Sequence, residues 1–545
     1  MAQRLSIQGR RLTPKAETSL FRLGLDAGIF IPSSCGGQGK CRECLLELVQ
    51  GAEDLSAAAP EEEGLAEGFR LACRTTVTGN DADQIVCHTL TRGRLRIVSD
   101  SQELDTEMTE LDPAVRRLGD AAVRGAAVLA EAPRQILGLA IDLGTTSIAM
   151  RLCDLESGRS LGQQSFENPQ RFGGSDVMAR IAFDGRHRGR LLQRTLIAYL
   201  GRAIDALPGD PREIFEVVVA GNTTMRDLFF GLDVQPIGQD PYRSITETGM
   251  LAGERTTTAV ESTAPRLGLP VHPDALVIGM PLIASHLGAD AAAALLATGV
   301  GHGSPVRVLM DIGTNTELIL GNEGRLIAAS CPAGPAFEGG GIRHGMPGVD
   351  GAIERVELLS DGSLQLGVIG DMPPQGICGS GLVAVLSELL RVERMNELGR
   401  FEEEEDEDGV RLDSAGEISF HESDVNELAQ AKGANAAGIR VLLETYGIGA
   451  SEIERFYLAG GFGRHLDARA ARRIGLVPDL DEETLVQVGN ASLEGARRYL
   501  LSCPARIELE ERVKRIEHVR LELHVGFFDA FVEGCQFRPF GKPRA

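Results

Sequence analysis

No stretch of this 545-residue sequence stays apolar for the ~20 residues that a bilayer span requires, and its first residues lack the apolar core of a secretory signal. Neither membrane insertion nor export is expected, and the expected location is the cytoplasm. Positive charge is scarce: 55 Lys and Arg stand against 78 Asp and Glu, for a net charge of −23. A surface that follows a nucleic-acid backbone needs clustered basic side chains, so nucleic acid is excluded as a partner. Cysteine is too sparse for a disulfide scaffold, with ten residues in the whole chain, and the cytosol keeps thiols reduced. The remaining composition, 43% hydrophobic and 24% charged, is that of an ordinary globular protein. Single cores stop growing at roughly 250–300 residues, so the chain must divide into several units.

Four of the cysteines are not scattered. Cys35, Cys41 and Cys44 lie in "CGGQGKCREC", and Cys73 follows alone in "RLACRT". In a reducing compartment such a cluster points to metal, and three occupants compete: structural zinc, a 4Fe–4S cluster or a 2Fe–2S cluster. Four-cysteine zinc sites usually come as two similar short pairs. Three ligands from one loop and a distant fourth is the plant-type 2Fe–2S layout, whose first gap is usually four residues rather than the five found here. Gly36, Gly37 and Gly39 permit the positive φ that turns backbone N–H groups toward thiolate sulfur. "SLFRLGLDAGIFIPSS" reads as a short helix feeding this loop, and "LLELVQG" alternates as a strand leaving it. On these residues the segment 1–98 resembles the ferredoxins of the β-grasp fold. The resemblance implies a 2Fe–2S cluster held by Cys35, Cys41, Cys44 and Cys73, with Arg42 standing where that family often has glycine. Cys87, in an apolar strand pattern, reads as a buried thiol.

Residues 99–135 are acidic, then rich in Ala and Arg, and read as a helical linker between the cluster domain and the body. The body repeats itself. "LGLAIDLGTTSIAMRLCDLESGRSLG" from Leu137 is echoed by "VRVLMDIGTNTELILGNEGRLIA" from Val306, and "FEVVVAGNTTMRDLFF" from Phe215 by "IERFYLAGGFGRHLDARAA" from Ile453. "VIGMPLIASHLGADAAAALLA" from Val277 is echoed by "VQVGNASLEGARRYLLS" from Val486, with Ser285, Gly288 and Ala289 set against Ser492, Gly495 and Ala496. Two α/β halves, 136–303 and 304–545, would then face each other across a cleft.

The repeated loops carry the chemistry. Asp142 and Asp311 end buried strands, where a carboxylate is costly unless it faces a cation or a polar cleft. Gly144, Thr145 and Thr146 in one copy, and Gly313, Thr314 and Asn315 in the other, offer hydroxyl and N–H groups to a polyphosphate, with the two aspartates on Mg²⁺ through water. Gly221 and Asn222 occupy the turn after the third strand pattern, and Gly460 and Gly461 the corresponding turn, where a glycine pair can lie flat against a nucleobase. The pattern resembles the duplicated, RNase H-like actin superfamily of sugar and acetate kinases and Hsp70 (ASKHA), which implies ATP in the cleft.

Taken in order, "CGGQGKCREC…C", "AIDLGTTS", "AGNTTM", "MDIGTNTEL", "CPAGPAFEGGGI", "GICGSGL" and "YLAGGFG" resemble the reductive activators of corrinoid-dependent methyltransferases. That resemblance implies a multidomain α/β and α+β chain that returns Co(II) corrinoid to Co(I) by ATP-dependent transfer of one electron. It further implies a corrinoid protein as partner and a low-potential donor such as a ferredoxin, flavodoxin or reductase, and it is compatible with a homodimer formed through the body. The Gly- and Pro-rich loop after the second phosphate hairpin, with polar Ser330 and Glu338 among small residues, reads as a phosphate-side loop of the ATP site, and the competing reading places Ser330 toward the corrinoid. Cys331 and Cys378 read as packing residues, His344 and His465 as structural, and the acidic run in 401–422 as a solvated loop. Competing readings are an activator of another low-potential enzyme, a kinase with an appended redox sensor, and a zinc-bearing Hsp70-like module.

Overall fold

The computed structural model describes residues 5–13, 17–78, 85–91, 110–187, 189–359, 363–402, 409–413, 416–460 and 465–541. The first unit is a five-stranded mixed sheet in which Leu5–Ile7 pairs parallel to Ile85–Thr89 and antiparallel to Arg10–Leu12, while Leu45–Gln50 joins Ile85–Thr89 to Phe69–Leu71. The helix Leu20–Asp26 starts at Ser19, whose hydroxyl accepts the Arg22 N–H at 3.3 Å. Its buried face, Leu20, Leu23 and Gly24, packs on the sheet with Leu5, Ile7, Leu45 and Ile85. A Cβ on Gly24 would stand 2.7 Å from Ile31 Cδ1, so helix and following loop meet only through glycine. This is the β-grasp arrangement, and Cys87 lies buried in its strand.

The linker departs from the helical expectation. Residues 92–109 lie outside the described residues, but Val115–Leu118, Ala121–Arg124 and Ala127–Glu131 form a three-stranded antiparallel sheet. Pairing of Leu118 with Ala121 and of Arg124 with Ala127 leaves two-residue turns, and Gly119 and Gly125 enter them at φ +60° and +59°. Two such turns six residues apart reward hairpins more than the helix propensity of Ala and Arg rewards a helix. The sheet is fastened to the body: Arg117 grips Glu156 at 2.7 and 2.8 Å, and Arg124 donates to the Phe215 carbonyl at 2.7 Å.

The duplication is visible in the topology. In the first half the strand order is Ser160–Glu167, Ser147–Asp154, Leu137–Leu143, Ile214–Gly221, Leu276–Gly279, with Val260–Thr263 at the edge. In the second, Arg325–Cys331, Thr316–Asn322, Arg307–Ile312, Arg455–Gly460 and Leu485–Gly489 repeat that order, with Glu517–His518 added at the opposite edge. Each sheet is an antiparallel meander followed by two parallel strands. The central strands are buried on both faces and read as nearly continuous apolar runs, such as "IFEVVVAG". Helices Ala289–Thr298 and Ala491–Leu501 cross between the halves, and a Cβ on Gly495 would collide with the Ala293 carbonyl. The caps of these helices set Gly288 against Asn490, not against Gly495, so the third sequence echo is real but its register is shifted.

The cluster domain docks on the first half through arginines. Arg171 holds Glu47 with two bonds of 3.0 and 2.7 Å, and Arg194 bonds both Glu43 at 2.7 Å and the Cys41 carbonyl at 2.9 Å. Phe30 meets Tyr199 edge-on at 5.6 Å, and the Tyr199 hydroxyl accepts the Leu90 N–H. The acidic run at 403–408 lies outside the described residues. Among the described residues, no helix is long and apolar enough to cross a membrane.

Candidate functional site: a cysteine loop beside a nucleotide cleft

The loop after the first helix turns back through Gly36, Gly37 and Gly39 at φ +63°, +84° and +80°. Its backbone N–H groups point inward: those of Cys41 and Lys40 reach the Cys35 sulfur, and that of Gly39 reaches Cys73. The Ser33 hydroxyl lies 3.7 and 3.8 Å from the sulfurs of Cys35 and Cys41. Arg42 adopts φ +62°, the left-handed conformation that explains glycine as the usual residue there. Its guanidinium bonds the Glu63 carbonyl at 2.8 Å and reaches His187 Nδ1 at 3.4 Å.

The thiols are arranged as two pairs, Cys35 with Cys41 and Cys44 with Cys73. Burial would raise Cys35, but the N–H groups of Cys41 and Lys40 and the Ser33 hydroxyl outweigh it and bring the thiol down to about 6. The bond from Cys44 brings Cys73 down to about 7, while the same bond and burial push Cys44 up. Among the described residues no three ligating side chains converge on one ion-sized point. Two pairs suit two irons bridged by sulfide, each taking two thiolates, better than one tetrahedral zinc.

The second site is a cleft of about 420 Å³ between the two halves of the body. The paired loops are built alike. Gly144 N–H closes on the Ser147 carbonyl and Gly313 N–H on that of Asn315, both at 3.0 Å. Gly221 is registered opposite Leu143, and Gly460 opposite Ile312, and in each case a Cβ would run into the partner's carbonyl oxygen. Gly460 sits at φ +113°, so Gly460→Val is expected to cost about 3 kcal/mol and to lower the thermal midpoint, read by calorimetry with and without nucleotide.

Five carboxyl groups face this cleft without a basic partner among the described residues: Asp142, Asp290, Asp311, Glu317 and Glu338. Burial pushes all five up. Asp311 rises to about 8, helped by the charges of Asp290 and Asp142, and Asp290 to about 7, helped by Asp142. Asn490 and Ser492 donate to Asp142 at 2.8 and 2.9 Å and partly offset its burial. Glu338 joins the loops directly: Thr146 and Thr314 both donate to its Oε2, at 3.1 and 2.7 Å. Asn222 caps the helix Thr223–Phe230 and donates to the Thr145 hydroxyl at 2.8 Å.

One helix links the two sites. Val177–Arg186 begins at Asp176, which lines the cleft with Val177 and Met178, and its Arg180 donates to the Thr145 carbonyl at 2.8 Å. At its far end His187 meets Arg42, the residue next to Cys41.

This pairing of sites along the chain matches three family models in sequence. Residues 5–78 match a 2Fe–2S iron–sulfur cluster binding domain, 137–302 the RACo middle region, and 305–542 the C-terminal ASKHA domain of RACo. The chain belongs to the RACo family. It carries a 2Fe–2S cluster domain and an ASKHA-type ATP-binding domain. Among its relatives, the corrinoid activation enzyme RamQ of Eubacterium limosum is 29% identical over 92% of this chain and 93% of its own. The [Co(II) methylated amine-specific corrinoid protein] reductase of Methanosarcina barkeri is 27% identical over 70% of this chain and 72% of its own. The solved structure of a reductive activator for corrinoid,iron-sulfur protein matches with a TM-score of 0.72 and 29% identity over 98% of both chains.

Within this RACo-family cleft lie Asp142, Gly144, Thr145, Thr146, Asn222, Asp311, Gly313, Thr314, Asn315 and Gly460. Gly461 lies outside the described residues. Ser330 donates to Glu317, which lines the cleft, at 3.4 Å. Cys378 lines the cleft and Cys331 is buried beside the helix Glu422–Tyr446 at Gly438. Asp290, Asn490 and Ser492 were not singled out from sequence as site residues, whereas Glu338 belongs to the loop read there as the phosphate side. Asp290 had a signal, an acid in the first turn of an Ala-rich helix, whereas Asn490 and Ser492 reach Asp142 from more than 340 residues away.

Proposed function

We propose that the chain carries out ATP-dependent one-electron reduction of a corrinoid protein, Co(II) to Co(I), returning a corrinoid-dependent methyltransferase or O-demethylase system to its active state. The observation that carries the coupling is the helix Val177–Arg186, which touches the first phosphate loop through Arg180 and the cysteine loop through His187. A change in the loop around Thr145 thereby has a rigid route to the neighbour of Cys41. The likeness to corrinoid activators over nearly the whole chain supports the choice of partner.

In this reading Cys35 and Cys41 would hold one iron and Cys44 and Cys73 the other, and the bound cluster would supply one-electron redox chemistry. The inward N–H groups of Lys40, Cys41 and Gly39 stabilise negative charge on the sulfurs. In the cleft, Thr145, Thr146, Thr314 and Asn315 would present donors to the phosphates, and Gly460 would lie on the adenosine side. Asp142 and Asp311, with Asp290, would hold Mg²⁺, whose charge would offset the burial that raises all three and the carboxylate repulsion that adds to it at Asp290 and Asp311. A ligand that binds one arrangement of the loops better than another shifts the equilibrium between them, and so favours electron delivery in one state.

The test mixes anaerobically reconstituted protein, a Co(II) corrinoid protein, a reductant and MgATP, and follows the Co(I) absorption band. The band is expected to grow with ATP. Equal growth with nucleotide withheld, or a reconstituted protein without iron and sulfide, would end this reading.

A further inference from the structure

Beside the cysteine loop, where the cluster domain meets the body, lies an open groove of about 1050 Å³. Arg190, Arg194, Arg202 and Arg266 line it, against two carboxylates, Glu43 and Asp205. Glu43 is already neutralised, since Arg194 and the N–H and hydroxyl of Ser34 all bond it at 2.7–3.0 Å. In a chain of net charge −23, this is a local reversal of sign. The groove also has an apolar floor, with Ile197, Leu232 and the Phe30 ring, over which Arg202 stacks at 4.5 Å. Arginine around an apolar floor is the composition of a protein-binding surface rather than of a small-anion pocket. Ser34, which lines the groove, is the residue before Cys35, and Cys35 is one of the two incompletely buried thiols of the quartet.

We infer that this groove is the docking surface for an acidic single-electron carrier protein, which loads the cluster from this side. The inference rests on the reading of the chain as a reductive activator and adds where its electron enters. Elsewhere the negative surface repels such a carrier, so the arginine groove steers it to the exposed edge of the cysteine loop. The transfer is balanced as written: one electron leaves the carrier, a flavin hydroquinone passing to its semiquinone, and the oxidised cluster gains it. No bond forms or breaks.

The experiment uses the reconstituted holoprotein and, as probe, a photoreduced low-potential flavodoxin of net negative charge. Stopped-flow absorbance reads the second-order rate of cluster reduction as salt is raised. The double variant Arg190→Glu/Arg266→Glu changes two exposed side chains that make no contact with the cysteines. The wild-type rate is expected to fall with ionic strength, and the variant to be slower by about tenfold at low salt with a flatter salt dependence. Reduction by photoreduced 5-deazaflavin, a small uncharged donor, is expected to be the same in both proteins, as is ATP-dependent Co(II) reduction driven by it. A flavodoxin rate unaffected by salt or by the two substitutions overturns the proposal. So does a variant whose deazaflavin-driven Co(II) reduction falls in parallel, because the groove would then serve the corrinoid partner. Wild-type protein that fails to reduce Co(II) with deazaflavin and MgATP sinks the functional reading instead, a separate result.

Discussion

Cys41→Ser is expected to strip the protein of its cluster and to lower corrinoid reduction by more than about 100-fold, while nucleotide affinity stays within twofold of wild type. Cys41 is buried and paired with Cys35, so its loss leaves one iron with a single thiolate. A serine hydroxyl does not ionise as a thiol does, and the iron would lose half its anionic donors from the protein. The loop itself should persist. Arg194 holds the Cys41 backbone carbonyl rather than its side chain, and Gly36, Gly37 and Gly39 keep the turn. No cysteine of the quartet lines the nucleotide cleft. Iron and sulfide content, the Co(I) band and calorimetric titration with nucleotide read the three quantities separately. A serine variant that retains iron, or that loses nucleotide binding in step with it, would contradict the assignment of the two sites.

Asp311→Asn should do the opposite, leaving iron content unchanged and removing roughly 100-fold or more of the nucleotide-dependent reduction. It should also make the ligand-free protein more stable at pH 8. The sign follows from proton counts. An aspartate in the unfolded chain titrates near 4, whereas burial and the charges of Asp290 and Asp142 push Asp311 up to about 8. Between those values the folded protein holds a proton that the unfolded chain has released, so stability is lost as pH rises through that window. Asparagine has no charge to expose. The wild-type thermal midpoint should therefore fall more steeply than that of the variant between pH 5 and 8. MgATP should raise the wild-type midpoint and leave the variant's nearly where it was. An asparagine variant that activates corrinoid normally, or that loses its iron, would refute the role given to Asp311.

The parts of this protein that were legible in its sequence are those where chemistry constrains spacing. Three cysteines on one glycine-laced loop can serve little but metal, and two copies of Asp-Φ-Gly-Thr after apolar strands fix both the duplication and the floor of the cleft. The same repeats pointed to two matching halves, and the shared strand order became visible only in the sheets themselves. The linker was misread because Ala and Arg favour a helix residue by residue, while Gly119 and Gly125 act at only two positions and decide the outcome. The third echo slipped because an alanine-rich helix offers no side chain to mark its register, and Asn490 caps its helix where Gly288 caps the other. The site roles of Asn490 and Ser492 escaped notice for a different reason. Their function exists only once the second half has folded back to place their donors on Asp142.

Glu338, which both phosphate loops grip through Thr146 and Thr314, has a consequence for turnover. The carboxyl group accepts from hydroxyls that an incoming phosphoryl oxygen would claim, and so bridges the two loops as an internal mimic of a phosphate. Loading becomes an exchange of one oxyanion for another rather than the ordering of two slack hairpins, and discharge returns the threonines to a waiting acceptor. Glu338 and a bound phosphate would thus compete for the same two donors.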